Sequence, residues 1–194
     1  RLKKYLPFIA GLIGFASLAC EIFWMRALSI FLTNSTYTFT IILIIFLSGI
    51  FIGSIIFVKL KEKSNLINIL ATVQILTGSY IVTGCLFLTR LPKLLLGIQG
   101  ILEIPFFRMF LPALILSVVV VFIPTIFMGI SFPLVCSLYS QEIKDIGNKL
   151  GNIYFSNTLG SALGSLFTGI IFINQPGVIR GLVAAGLLNL VVGF

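Results

Sequence analysis

The chain has 194 residues, 59% of them hydrophobic and only 9% charged, with a mean hydropathy of +1.19. Soluble domains carry about 25% charged residues, so these proportions exclude a soluble globular fold and indicate an integral membrane protein. The formal net charge of +8 comes from basic residues set between apolar runs, a pattern that orients a membrane protein and gives no reason to expect a nucleic-acid partner.

Histidine is absent, which removes the commonest general base and the commonest transition-metal ligand. Cys20, Cys85 and Cys136 lie in or beside apolar segments without Cys-x-x-Cys spacing, so neither a disulfide framework nor a metal site is expected. No cofactor is expected.

The opening Arg1-Leu-Lys-Lys has the charge order of a signal peptide. The apolar stretch behind it is too long and lacks a small-residue cleavage pattern, so it reads as a retained helix. That first helix is predicted over 6–32, and its apolar run is interrupted by Glu21 and Arg26. A charged side chain at bilayer depth costs at least about 2.5 kcal/mol and therefore faces protein or water and takes a partner. Glu21 is a candidate substrate or cation site, with hydrogen-bonded packing as the competing role. Arg26, nearer the outer end, is expected to snorkel to the headgroups, and Trp24 to pack or to anchor at the interface.

Asn34, Ser35 and Thr36 read as a capping turn, followed by a second helix over 36–60. Gly49-Ile-Phe-Ile-Gly53 with Ser54 gives that helix a small-residue face on which another helix packs closely. A third helix over 66–88 carries Gln74, Thr77, Ser79, Tyr80 and Thr83, a polar content that favours burial in the bundle. The connection 89–108, with Pro92, Gly97, Gly100 and Pro105, reads as a helix lying on the outer surface. Apolar character then persists over 109–139. One helix of that length would measure about 46 Å against a hydrocarbon core of about 30 Å, so a break or bend is expected between Pro124 and Pro133, with Gly129 between them.

After a polar crossing at 140–149, a fifth helix over 150–173 repeats small residues at every fourth position: Ser156, Gly160, Gly164 and Thr168. Such a face argues for a central, tightly packed position against helix 1 or helix 2, with Asn157 beside it. A turn at 174–177 leads to a sixth helix from Gly181. The residues up to Phe194 span about 20 Å, too little to cross, so a longer helix is expected there. Asn189 stands in it at a depth similar to that of Glu21.

Arg1, Lys3, Lys4, Lys59, Lys61, Lys63, Lys144 and Lys149 fall on one side of this topology, and Arg90, Lys93, Arg108 and Arg180 on the other. The bias places the amino terminus in the cytoplasm. The expected architecture is an all-α, polytopic membrane helix bundle, a single domain over 1–194 with about six transmembrane helices in a lipid bilayer.

Three segments in the first half carry a resemblance: Ala16-Ser-Leu-Ala-Cys-Glu-Ile-Phe-Trp-Met-Arg-Ala-Leu, Tyr37-Thr-Phe and Phe46-Leu-Ser-Gly-Ile-Phe-Ile-Gly-Ser. Pro124-Thr-Ile-Phe-Met-Gly-Ile-Ser-Phe-Pro and Gly151-Asn-Ile-Tyr-Phe-Ser-Asn-Thr-Leu-Gly-Ser-Ala-Leu-Gly continue it in the second half. In order, they resemble the first, second, fourth and fifth helices of the membrane-bound, transporter-fused spermidine synthase-like (polyamine aminopropyltransferase) family. The resemblance implies a membrane half joined to a cytoplasmic aminopropyltransferase half, in a bacterial-type inner membrane. Such an enzyme half needs a Rossmann-like domain with a glycine-rich turn and paired acidic residues. The acids here are Glu21, Glu62, Glu103, Glu142 and Asp145, and no catalytic residue is assigned among them. The helix count and the glycine pair are also similar to half of a major-facilitator transporter, without its aspartate near Gly53.

Three roles follow. The chain anchors a polyamine enzyme and exchanges polyamine-type cations with it, or it is a stand-alone half-transporter or channel-like protein, or it is a structural accessory subunit of a larger membrane complex. The polar groups expected at membrane depth are Glu21, Gln74, Asn157 and Asn189. Polyamines are cations, so Glu21 is expected to point into the bundle within reach of Asn157 or Asn189. Arg26, Trp24, Gly49, Gly53, Pro124, Gly129, Pro133, Gly160 and Gly164 are assigned to structure.

Overall fold

A computed structural model describes residues 2–31, 36–62, 65–99, 115, 117–140, 146–172 and 177–194, and every regular element among them is helical. A 3-10 turn, Leu2–Tyr5, leads into α1 (Leu6–Phe31), α2 (Thr36–Leu60), α3 (Leu66–Gln99), α4 (Ile123–Tyr139), α5 (Ile146–Phe167) and α6 (Val178–Gly193). Two π-helical stretches adjoin them, Val118–Phe122 before α4 and Thr168–Phe172 after α5. Among the described residues four helices are long and apolar enough to cross a membrane: Leu6–Ser29, Phe39–Leu60, Leu66–Arg90 and Val118–Tyr139. The α5 helix mixes its apolar residues with Asn148, Lys149, Asn152, Asn157 and Ser161. The α6 helix, with 16 residues, is about 24 Å long.

The helices pack as three close pairs, α1 on α5, α2 on α4 and α3 on α6. Glycine makes each pair close, because a missing side chain lets backbones approach. A Cβ on Gly160 would strike the Gly11 backbone and one on Gly164 the Phe15 backbone, so α1 and α5 run parallel. Gly49 lies against Thr125, and Gly53 against Ile126 and Gly129, which makes α2 and α4 parallel as well. Gly78 faces Gly186 and Leu190 while Gly193 faces Ala71 and Ile75, so α3 and α6 are antiparallel. Further contacts of α1 with α6 and of α3 with α4 give the order α5, α1, α6, α3, α4, α2 around the bundle. Contacts of α1 with α4 and α2, and of α5 with α4, join the α1–α5 and α2–α4 pairs and close the bundle.

The core is divided along its length. One apolar cluster joins Phe23, Trp24 and Leu28 to Ile42, Phe46, Leu88, Val121, Met128 and Leu182. The other joins Leu6, Ala10 and Ile13 to Leu70, Leu134, Leu138 and Ile153. The stretches of α1, α2, α3 and α6 that lie between the clusters carry polar groups: Ser17, Ser54, Gln74, Thr77 and Asn189.

The prolines act elsewhere than expected. The helix does not break between Pro124 and Pro133: α4 runs through Pro133, and the departure from α geometry is the π stretch just before Pro124. A proline removes the donor for a carbonyl one turn earlier and crowds that turn, so its effect falls upstream. In the π register the carbonyl of Val119 would pair with residue 124, which has no N–H. Tyr80 Oη donates to that carbonyl instead, at 2.6 Å. Pro133 likewise leaves the Gly129 carbonyl without its helical donor. The Ser54 hydroxyl, shared with the Ile50 carbonyl at 3.0 Å, reaches it at 3.3 Å. Serving both carbonyls from neighbouring helices keeps α4 continuous in surroundings without water.

Other expectations also need correction. The α3 helix runs past 88 to Gln99, because the leucine-rich residues after Leu88 are good helix formers. The α5 helix is closely packed but not central. It buries Ile153, Gly160 and Gly164 and leaves Tyr154, Phe155, Leu159, Leu163 and Leu166 exposed. Small residues admit one close neighbour without enclosing the helix. Trp24 is buried in the core, which makes it a packing residue, and Arg26 is exposed. Asn34, Ser35, the connection from Gly100, the start of helix 4 near Met109, residues 141–145 and the turn 174–176 lie outside the described residues.

Candidate functional site

The seam between the α1–α5 and α2–α4 pairs holds a cavity of about 230 Å³. Gly14 and Ser17 of α1, Ser54 of α2, Gly129 and Pro133 of α4, and Asn157 and Ser161 of α5 line it, with Phe46, Met128 and Phe132 as apolar walls. Ser17 stands near the middle of α1, so the cavity lies about halfway along the bundle, between the two apolar clusters. A side chain on Gly14 would run into the Asn157 carbonyl and its amide oxygen, so glycine is what leaves Asn157 its room. The groups on offer are three hydroxyls, an amide and a carbonyl whose helical donor Pro133 removed. All are neutral and can hydrogen-bond a solute.

Glu21 lies one turn beyond Ser17 on the same face of α1, about 6 Å along the axis. It is half-buried, and among the described residues no hydrogen bond or ion pair meets its carboxylate. Arg26 is five residues on, about 140° around the helix, and exposed. The expected meeting of Glu21 with Asn157 or Asn189 does not occur. Asn157 lies against Gly14, two turns below Glu21. Asn189 is buried on α6, where its Nδ2 donates to the Ala185 carbonyl at 2.9 Å. Gln74 is also buried, 1% exposed on α3, with no partner for its Oε1. Of the four expected polar residues, Asn157 lines the cavity and Glu21 stands above it. Gln74 and Asn189 belong to the α3 and α6 helices on another side of the bundle.

Ser17 and Ser161 went unrecognised as site residues. Helical spacing was the available signal: Ser17 is four residues before Glu21, and Ser161 four after Asn157. Two other grooves open on the outer surface. One of about 520 Å³ is lined by Leu60, Asn65, Asn68, Thr72, Val73 and Phe127, and one of about 270 Å³ by Phe8, Phe15, Leu159 and Leu163 among others. Neither brings polar groups together from four helices, so the seam cavity is the candidate site although it is the smallest of the three. No group of three or more metal-ligating side chains occurs among the described residues. Compared with protein-family models, with curated proteins and with solved structures, the chain matches none.

Proposed function

We propose that this chain is a six-crossing membrane domain of a bacterial-type inner membrane, with its amino terminus in the cytoplasm. In this reading it binds an organic cation of the polyamine type at the seam and exchanges it with a cytoplasmic aminopropyltransferase half. The observation that carries the reading is the pairing of a neutral, hydrogen-bonding cavity halfway along the bundle with a carboxylate one turn away. An alkylammonium needs both. Its N–H groups need acceptors, supplied by Ser17, Ser54, Asn157, Ser161 and the Gly129 carbonyl. Its charge at bilayer depth needs an anion, supplied by Glu21. Phe46, Met128 and Phe132 suit the methylene chain between nitrogens. No glycine-packed helix pair spans the seam, so the two pairs can part there without breaking such an interface, as alternating access requires. Lys4, Lys59, Lys61 and Lys149 gather at one end of the bundle, which supports the cytoplasmic assignment of that end.

The test is equilibrium binding of radiolabelled spermidine to the purified protein in nanodiscs. Saturable binding is expected. Glu21→Gln should weaken it at least tenfold, about 1.4 kcal/mol, while Arg26→Gln, on the exposed side, leaves it unchanged. Absence of saturable binding to folded protein, or equal binding by the Glu21 variant, refutes the reading.

A further inference from the structure

The α3 helix begins six residues after α2 ends, yet both pack on α4 instead of on each other. Between them runs the groove of about 520 Å³, with Phe127 and Ile130 of α4 as its floor and Leu60 of α2 and Ile69 of α3 as walls. Asn65 and Asn68, both exposed at the start of α3, stand at its mouth. The Asn65 Oδ1 accepts the Asn68 N–H at 3.3 Å as an N-cap. Capping occupies that oxygen and leaves the Asn65 Nδ2 as a donor, with the Asn68 amide beside it in sequence one turn on. Deeper in, Thr72 turns its hydroxyl back to the Asn68 carbonyl at 2.8 Å, so no polar group there is left to be met. From Asn65 to Val73 the groove follows α3 for about 12 Å, against about 15 Å for one leaflet of a hydrocarbon core about 30 Å thick. Lys59 and Lys61 flank Leu60 at the rim, both exposed, and Glu62 is the one acidic residue described there, so positive charge is in excess.

We infer that this groove holds one anionic phospholipid, with an acyl chain along Ile69, Phe127 and Ile130 and the phosphate at the rim, where Lys59, Lys61 and the two asparagine amides meet it. The groove repeats the polarity of the lipid in order: basic and hydrogen-bonding at the helix ends, apolar for nearly the depth of a leaflet. Basic pockets between membrane helices recognise anionic head groups in this way. A chain lying in the groove touches three helices, and the lipid bridges α2 and α3 where their packing on α4 leaves them apart. Neither the seam cavity nor Glu21 takes part, so the lipid and the solute are tested separately.

The test is thermal unfolding of the purified protein in an uncharged detergent, followed through its single tryptophan, Trp24. Phosphatidylglycerol is titrated in, and phosphatidylcholine with the same acyl chains serves as the comparison. A micelle has no sides, so lysine substitutions act there on lipid binding and not on orientation. A saturable rise in Tm with phosphatidylglycerol is expected, as for any ligand that binds the folded state alone, with phosphatidylcholine needing roughly tenfold more or above. Lys59→Gln combined with Lys61→Gln should remove that preference. Thr72→Phe, which fills the groove from an exposed position, should abolish the rise with either lipid. Thr83→Phe, exposed on the same face of α3 but outside the groove, should leave it intact. Equal responses to the two lipids in wild type overturn the inference, as does a response that ignores the lysine and Thr72 substitutions. The same rise with inorganic phosphate alone would mean a site for a free anion, and a halved mass of the lipid-free protein in Thr72→Phe would mean that a second copy fills the groove; either overturns it. Should Thr72→Phe fail to fold, the double lysine variant, which changes only exposed side chains, decides the matter by the lipid preference.

Discussion

Replacing Gly160 by alanine tests the α1–α5 contact on which the candidate site depends. A Cβ at position 160 would fall on the Gly11 carbonyl, with the carbonyl carbon and Cα of Gly11 as its next neighbours. All three are backbone atoms, and none can rotate away. The helices must separate by about 1 Å, and a gap of that size forfeits a quarter to a half of each contact's dispersion energy. A contact on the order of 40 atom pairs, at about 0.15 kcal/mol each, then loses about 1.5–3 kcal/mol. Alanine's better helix propensity returns up to about 1 kcal/mol, which would blur the measurement. Gly151→Ala supplies the control, because nothing lies within 4 Å of its Cβ position in the same helix. The difference between the two variants, about 1.5–3 kcal/mol, isolates the packing. Equilibrium unfolding in mixed detergent micelles, read from Trp24 fluorescence, measures it directly. A difference below about 0.5 kcal/mol, within the usual range for surface substitutions, would mean that the two backbones are not in close contact.

The same assay addresses the prolines and the buried amide. Tyr80→Phe removes only the hydroxyl that serves the Val119 carbonyl and should destabilise by about 1–3 kcal/mol, more than Ser54→Ala, whose bond to Gly129 is longer and shared. Unchanged stability of Tyr80→Phe would show that the π stretch needs no outside donor. Gln74→Leu replaces a buried oxygen without a partner by an apolar group of similar size, so stability should hold or rise by up to about 2 kcal/mol. A clear loss would reveal a partner for the amide.

The helices were legible because length and apolar runs define them, and the glycine faces because Gly49, Gly53, Gly160 and Gly164 recur at one-turn spacing. Their partners were only half legible. Helix 1 was one of two candidates for Gly160 and Gly164, but the contact atoms belong to the backbones of Gly11 and Phe15, which no side-chain pattern marks. Pro124 and Pro133 pointed to a disturbance and misplaced it, since a proline acts one turn upstream. The hydroxyls that compensate come from Tyr80 and Ser54, far away in the chain. Glu21 stood out at once as a charge among apolar residues. Which of Asn157 and Asn189 shares its side of the bundle depends on how each helix is rotated. The α5 helix has apolar residues all round and shows no apolar face from which that rotation could be read.

The six helices fall into two triplets, α1–α3 and α4–α6. Exchanging each helix for its counterpart three places along turns the α1–α5 pair into α4–α2 and returns α3–α6 to itself. Each triplet holds an odd number of helices alternating in direction, so counterparts point opposite ways. The exchange is therefore a half-turn about an axis that crosses the bundle instead of running along it. In its helix pairing such an object looks alike from either end, so the pairing alone does not tell a bilayer which way up it sits. That information has to come from the rims, where Lys4, Lys59, Lys61 and Lys149 crowd one end and Arg90 and Arg180 lie toward the other. A handful of basic side chains near the helix ends then decides which way the domain faces.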